Sequence, residues 1–275
     1  MKLWFQIRRA FWLAHEENCF AIAKGAAYSG LLAIFPVLTT VAAVLVQAKA
    51  RPVLQIITQY LQEIIPPGTE DLVLARFVVH GRKPIALLVV ATALAIYAAS
   101  GFMLSLMEGF DAVYHVPAGR RFLRQRLHAA LLVLCGSLPF IGASSLIFYG
   151  AGVEKFVLRW IRGLPESQEI AQGLLLTGQL IRYAVVLGTI ALVVACFYYF
   201  GPNRKQTFRK VWPGAWLATL LWLPSTMGFA WYVRNIANYN VMYGSIGAVI
   251  ALLGWIYLLG AIAFIGCAFN AVREQ

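Results

Sequence analysis

Between Asn235 and Val272 the chain carries no Asp, Glu, Lys or Arg, and within that run lies Tyr243 to Asn270, YGSIGAVIALLGWIYLLGAIAFIGCAFN. A soluble helix needs one polar face, and this stretch has none, so its natural solvent is lipid. Gly247, Gly254, Ala261 and Ala268 recur every seven residues, with Gly244 and Ala251 between them. Lipid gives helices little hydrophobic reason to associate, so a stripe of small residues is how two backbones come close enough for dispersion contact. The stripe is read as the packing seam of a helix bundle; glycines scattered through an apolar sequence are the plainer alternative.

The rest of the chain agrees with a lipid solvent. Hydrophobic residues fill 61% of the 275 positions, against roughly 45–50% in a soluble domain. Cutting at the charges leaves six long runs: Gly25–Ala48, Pro84–Met107, Leu127–Val153, Tyr183–Asn203, Val211–Val233 and Asn235–Val272. Each reaches the ~20 residues that cross a hydrocarbon core. The expectation is an all-α, polytopic membrane protein forming a single membrane domain over 1–275. It has an amphipathic N-terminal helix at 1–23 and six transmembrane helices near 25–48, 84–107, 127–150, 180–200, 211–232 and 244–270. The first span begins too deep for a typical signal peptide, and no A-x-A-like site closes a short apolar region, so it is expected to be retained.

The net charge of +12 is distributed as a membrane orientation signal rather than a nucleic-acid footprint. With the N-terminus inside, the two short inner loops, 110–126 and 201–210, hold eight basic residues in 27 positions. The outer loops mix sparse Lys and Arg with acids such as Glu63, Glu70 and Asp71. Both termini on the cytoplasmic side is the orientation the positive-inside rule favours.

Along the chain, Leu3, Trp4, Ile7, Phe11 and Ala14 share one face of a helix over 2–18 while Arg8, Arg9, His15 and Glu16 point elsewhere. Such a helix rests in the headgroup layer or packs under the bundle. Pro36 falls inside the first span, after Tyr28 and Ser29; it removes a backbone donor and either kinks the helix or breaks it to line a substrate site. Residues 49–83 are expected to form two short outer helices, and an outer helix is expected around Val153–Ile161. Glu108 and Asp111 share a helix face beside Arg120, Arg121, Arg124 and Arg126, and ion pairing there competes with a substrate or cation site. Asn238, Tyr239, Asn240 and Tyr243 gather at the turn before the last span, where they satisfy a tight backbone or ring an outer vestibule. Pro213 suits the first turn of span five. Cys135, Cys196 and Cys267 lie within spans and Cys19 precedes the first; buried free thiols are the expectation.

Catalytic patterns are missing. His15, His80, His115 and His128 form no HExxH and no zinc-like set with the cysteines, and GxSxG, Walker A and GxGxxG are absent. No cofactor, no metal and no catalytic residue is assigned. The six runs contain no charged residue, which argues against a transporter driven by an intramembrane acid.

Four stretches carry a family resemblance: KGAAYSGLLAIFPVL at 24–38, VYHVPAGRRFLRQRL at 113–127, PNRKQTFRKVWPGAW at 202–216 and NYNVMYGSIGAVIALLGWIYLLGAIAFIGCAFNAV at 238–272. In this order they resemble the YihY/BrkB family of bacterial inner-membrane proteins over nearly the whole chain. The resemblance implies six membrane helices with both termini cytoplasmic. Relatives have carried ribonuclease and virulence labels, and lipid or envelope-precursor transport has been suspected for some. Two departures stand out: Gly-Ala-Ala-Tyr-Ser-Gly where many relatives have Ala-Leu-Ala-Tyr-Tyr, and Cys267–Ala268 where an acid commonly precedes the asparagine.

The functional expectation is an inner-membrane protein that transports or accommodates an amphiphilic, anionic envelope molecule, with membrane lipids and no nucleic acid as partners and homo-oligomerisation left open. The path would be lined by Tyr28, Ser29, Pro36, Glu108, Asp111, Arg120, Arg121, Arg124, Arg126, Asn238, Tyr239, Asn240, Tyr243 and Asn270. A non-transporting scaffold is the alternative. A ribonuclease is not expected, because no metal-binding acidic or histidine cluster and no sizeable soluble domain is present.

Overall fold

The computed structural model describes residues 2–47, 85–117, 122–161, 167–235 and 246–274. Among the described residues every regular element is helical: α1 (Lys2–Glu16), α2 (Cys19–Gln47), α3 (Ile85–Val113), α4 (Phe122–Ile161), α5 (Ser167–Phe200), α6 (Phe208–Asn235) and α7 (Ile246–Glu274). Four are long and apolar enough to cross a membrane: α2 over Cys19–Val41, α3 over Leu88–Val113, α5 over Thr177–Phe200 and α7. In α6 the apolar pattern is diluted by Pro213, Pro224 and four tryptophans, Trp212, Trp216, Trp222 and Trp231. The chain is a helical membrane protein, and the two short outer helices expected within 49–83 fall outside the described residues.

Helices α2 to α7 pack in sequence order, and α7 closes the ring against α2. It also touches α1 and α3, so the charge-free C-terminal helix is the hub of the bundle. Its C-terminal half is buried almost continuously from Ala261 to Val272, with Ile265 partly buried, whereas Ile246 and Ile250 near its other end are exposed. The core therefore sits at the end of the bundle that holds both termini. The side chains filling it come from the start of α2, the end of α3, the start of α4, the end of α5 and the start of α6.

Several boundaries depart from the sequence expectation. The amphipathic segment is not one helix over 1–23: α1 stops at Glu16, and Asn18 turns the chain with φ 55°. Asparagine is among the few residues with a side chain that tolerate this left-handed conformation. α2 then starts at Cys19, so Cys19 and Lys24 belong to the first membrane helix rather than preceding it. The expected outer helix at 153–161 is the continuation of α4, which runs 40 residues from Phe122 to Ile161. Nor do the prolines break their helices, since α2 passes Pro36, α4 passes Pro139 and α6 passes Pro213 and Pro224 without interruption. In α2 the hydroxyls of Thr39 and Thr40 donate to the carbonyls of Phe35 (2.8 Å) and Pro36 (3.0 Å), adding side-chain partners around the proline.

The small-residue seam is present, but its tightest point lies off the heptad. Gly247, Ala261 and Ala268 are buried. The closest backbone approach is between Gly266 of α7 and Gly214 of α6, where a methyl group on Gly266 would stand 2.7 Å from the Gly214 carbonyl oxygen. Gly109 of α3 serves a similar end, because a methyl group there would stand 2.6 Å from Cζ of the fully buried Phe264.

Candidate functional site

A network of polar contacts closes the terminal end of the bundle, and it begins with the accounting of helix ends. The last carbonyls of α5 have run out of intrahelical donors. Gly201 N–H donates to Phe197 O at 2.8 Å, the Gln206 amide donates to Tyr199 O at 3.2 Å and also to Tyr198 O, and His128 of α4 meets Phe200 O at 2.7 Å. A carbonyl only accepts, so His128 carries its proton on Nε2. α3 ends in a Schellman turn: His115 takes φ 53°, its N–H donates to Ala112 O at 2.9 Å, and Val116 N–H donates to Asp111 O at 2.9 Å.

Side chains lock these ends together. Asp111 of α3 accepts from the backbone N–H of Asn203 at 2.6 Å, holding the 201–207 turn under the bundle. Arg204 from the same turn pairs with Glu274 at the end of α7 and lies 4.0 Å over the Tyr114 ring. The Tyr114 phenol is pushed well above its ordinary range, first by burial and then by the neighbouring Cys267, with Arg204 opposing. Deeper in, Tyr198 of α5 donates its hydroxyl to Ala263 O of α7 at 2.6 Å and stacks edge-on with Phe110, which in turn meets Phe264.

Asn270 joins α7 to α6. Its side-chain oxygen accepts from Gly214 N–H at 2.7 Å, and its amide donates to Val211 O at 2.9 Å. The two contacts bracket Pro213, whose ring crowds the preceding turn and displaces its normal hydrogen bonding. Asn270 is 1% exposed and both ends of its amide are used within the protein, so its place is in the closed end of the bundle rather than along a path.

The other expected path residues that the structure describes do not gather at one place. Tyr28 of α2 is 62% exposed on the outside of the bundle, while Ser29 lies against Gly101 of α3 and Pro36 is half-buried. Glu108 is exposed one turn before Asp111 and does not share its contact with Asn203. Arg120, Arg121, Asn238, Tyr239, Asn240 and Tyr243 lie outside the described residues. The expectation of buried thiols holds for Cys19 and Cys267, but Cys135 is exposed and Cys196 half-buried; all four are free. Among the described residues, no group of three or more His, Cys, Asp or Glu is placed to hold a metal ion.

Arg124 is exposed, but Arg126 has a defined seat. Its guanidinium lies 4.0 Å over the Tyr97 ring and donates from Nη2 to Tyr97 O at 2.8 Å, while Nε is buried with no hydrogen-bond partner. Tyr97 stands near the middle of the charge-free run Pro84–Met107, so a cation from α4 is held beside the apolar stretch of α3. Around it Phe122, Leu123 and Leu127 are exposed. Charge-free runs show only what each helix carries itself; the reach of an arginine and the stagger of two neighbours bring charge to a segment that has none.

The chain is 29% identical over 181 residues to YfkH of Bacillus subtilis, named a putative ribonuclease-like protein, covering 66% of this chain and 63% of that one. A UPF0761 membrane protein of Alkalilimnicola ehrlichii is 26% identical over 261 residues, covering 93% of this chain and 55% of the relative. One from Neisseria meningitidis serogroup B is 26% identical over 274 residues, covering 98% and 62%. The chain thus spans somewhat under two thirds of the length of these relatives. No solved structure matches it. The family described as virulence factor BrkB matches residues 11–275, covering the helix-end network, helices α2 to α7 and the end of α1, and the chain belongs to that family of membrane proteins.

Proposed function

We propose that the protein accommodates, and moves between leaflets, an amphiphilic anionic molecule of the bacterial envelope, a lipid or lipid-linked precursor. The observation that carries this reading is Arg126, seated on Tyr97 with a buried Nε and with no carboxylate partner among the described residues, among exposed Phe122, Leu123 and Leu127. An unneutralised cation beside apolar helix surface is costly, and a phosphate or carboxylate on a lipid-like molecule offsets that cost while its chains lie along the exposed apolar side chains. In this reading the chain is an inner-membrane protein with six spans and both termini in the cytoplasm, which puts the inner arginine belt at the anionic leaflet. We read it as non-enzymatic, including against the ribonuclease-like name of YfkH, because the sequence lacks the clustered acids or histidines that metal-assisted phosphodiester cleavage uses.

The solid packing of the terminal end around Asn270, Tyr198 and Phe264 supports a second reading, a scaffold that anchors surface elements and transports nothing. Reconstitution separates the two. Purified protein in liposomes is tested for binding and transbilayer movement of a fluorescent anionic phospholipid, with Arg126→Gln alongside. The transport reading expects movement above protein-free liposomes and at least a several-fold loss in the variant. Liposomes indistinguishable from protein-free controls, with wild type and variant binding the lipid equally, would leave the scaffold.

A further inference from the structure

The two faces of α1 have different fates. Ala10 and Ala14 are fully buried, Ile7 and Leu13 pack beside them, and the helix lies against α7 and α2. Small side chains on this face let the helix sit close under the bundle. What remains outside is unusually aromatic for a surface helix, with Trp4 74%, Phe5 56% and Trp12 55% exposed and Leu3 and Phe11 also uncovered. Basic residues are interleaved with them. Arg8 lies 5.7 Å over the Phe5 ring with no carboxylate partner among the described residues, and α1 holds Lys2, Arg8 and Arg9 against a single acid, Glu16.

We infer that this outer face of α1 is a docking surface for the anionic leaflet of the membrane, built as a preformed part of the bundle rather than as a segment that folds on contact. Aromatic rings prefer the boundary between headgroups and acyl chains, and arginines beside them snorkel to phosphates. Water is a poor solvent for so many uncovered rings on one short helix. The charge excess is complementary to anionic headgroups, each basic residue near such a surface favouring binding by about fivefold. Phe11 on this helix lies 5.4 Å from Phe20 at the start of α2, and Tyr28, Leu32 and Phe35 farther along α2 are exposed as well. A cleft of about 300 Å³ lined by Arg9, Trp12, Leu13, Glu16 and Val272 opens where α1 meets the end of α7. Because the alanine face is already docked, the depth of α1 sets the depth of the closed end of the bundle. This inference stands independently of lipid movement.

Trp4 and Trp12 provide the test. The full chain is placed in nanodiscs containing either brominated phosphatidylglycerol or brominated phosphatidylcholine at equal mole fraction. The fluorescence of a Trp4→Phe/Trp12→Phe variant is subtracted from that of the wild type to isolate the two rings. The expected result is quenching of the difference signal by both lipids, stronger for phosphatidylglycerol, with little quenching by aqueous acrylamide. Arg8→Gln, at an exposed position, is expected to lower the phosphatidylglycerol preference by about fivefold at low salt. Acrylamide quenching without lipid quenching would put the face in water and overturn the inference. Shielding from both quenchers would mean that protein, a second copy or a partner, covers it, and would overturn it equally. Equal quenching by the two lipids, unchanged in Arg8→Gln, would remove the anionic selectivity and with it the proposal as stated.

Discussion

Replacing Asn270 by alanine removes both bonds that tie α7 to the first turns of α6, at 2.7 and 2.9 Å, from a site that is 1% exposed. The buried Gly214 N–H loses its Asn270 acceptor, and a buried donor left unsatisfied costs about 1–3 kcal/mol. The Val211 carbonyl loses one donor, a smaller effect. The void left by the amide adds about 1 kcal/mol, because Gly214, Gly266 and Tyr198 are already too close to collapse into it. Against this, interhelical side-chain hydrogen bonds in membranes average only ~0.6 kcal/mol, since the unfolded chain in lipid finds other partners. The expected destabilisation is therefore about 2–3 kcal/mol, below the plain sum. Asn270→Leu separates the two contributions, for it keeps the branched shape at a somewhat larger volume while losing both bonds, and should recover part of the loss. Reversible unfolding in mixed micelles, followed by tryptophan fluorescence, measures all three proteins. Losses under about 0.5 kcal/mol for both variants would refute the reasoning and reduce Asn270 to a spectator.

Two further outcomes follow from the same end of the bundle. Gly109→Ala should cost about 1–3 kcal/mol in the same assay, as overpacking against a fixed ring does, and Phe264→Leu in that background should restore most of it. Tyr114 has a folded pKa well above its ordinary value of 10.0, so its contribution to stability is complete below that pH. Above it the unfolded chain loses the phenolic proton while the folded one keeps it, and stability falls as pH rises; Tyr114→Phe should move the onset of alkaline unfolding upward while changing little at neutral pH.

Much of the helical content was legible because lipid imposes a simple rule on composition. The long apolar runs locate α2, α3, α5 and α7, and the run without charge correctly marks α7 as a packing axis. Boundaries were less legible. A charge marks the edge of an apolar run, but a helix continues wherever its backbone bonds continue, so Lys24 lies inside α2 and α4 runs on past the expected end of its span. The prolines did not mark helix ends: each removes one backbone donor, and α2, α4 and α6 run through theirs without a break. Among the described residues, the expected path drew together side chains that share a chemistry and not a place. Tyr28 points outward, Asp111 holds a turn and Asn270 is sealed in the core.

The amino-acid sequence by itself determined the solvent of this protein and its family. Sixty-one per cent hydrophobic composition leaves a chain of this length no soluble core to build, and the four motif stretches are specific in their order. Only the tertiary structure decided which polar groups are spent on the protein and which are left over. That depends on which helix ends meet: Asn270 is consumed by Gly214 and Val211, from a helix 56 residues away, and Arg126 reaches Tyr97 across a turn of the chain. Periodicity describes one helix at a time. The pairing of a clamp with a proline-bearing helix start, and of a lone cation with an apolar neighbour, exists only between helices.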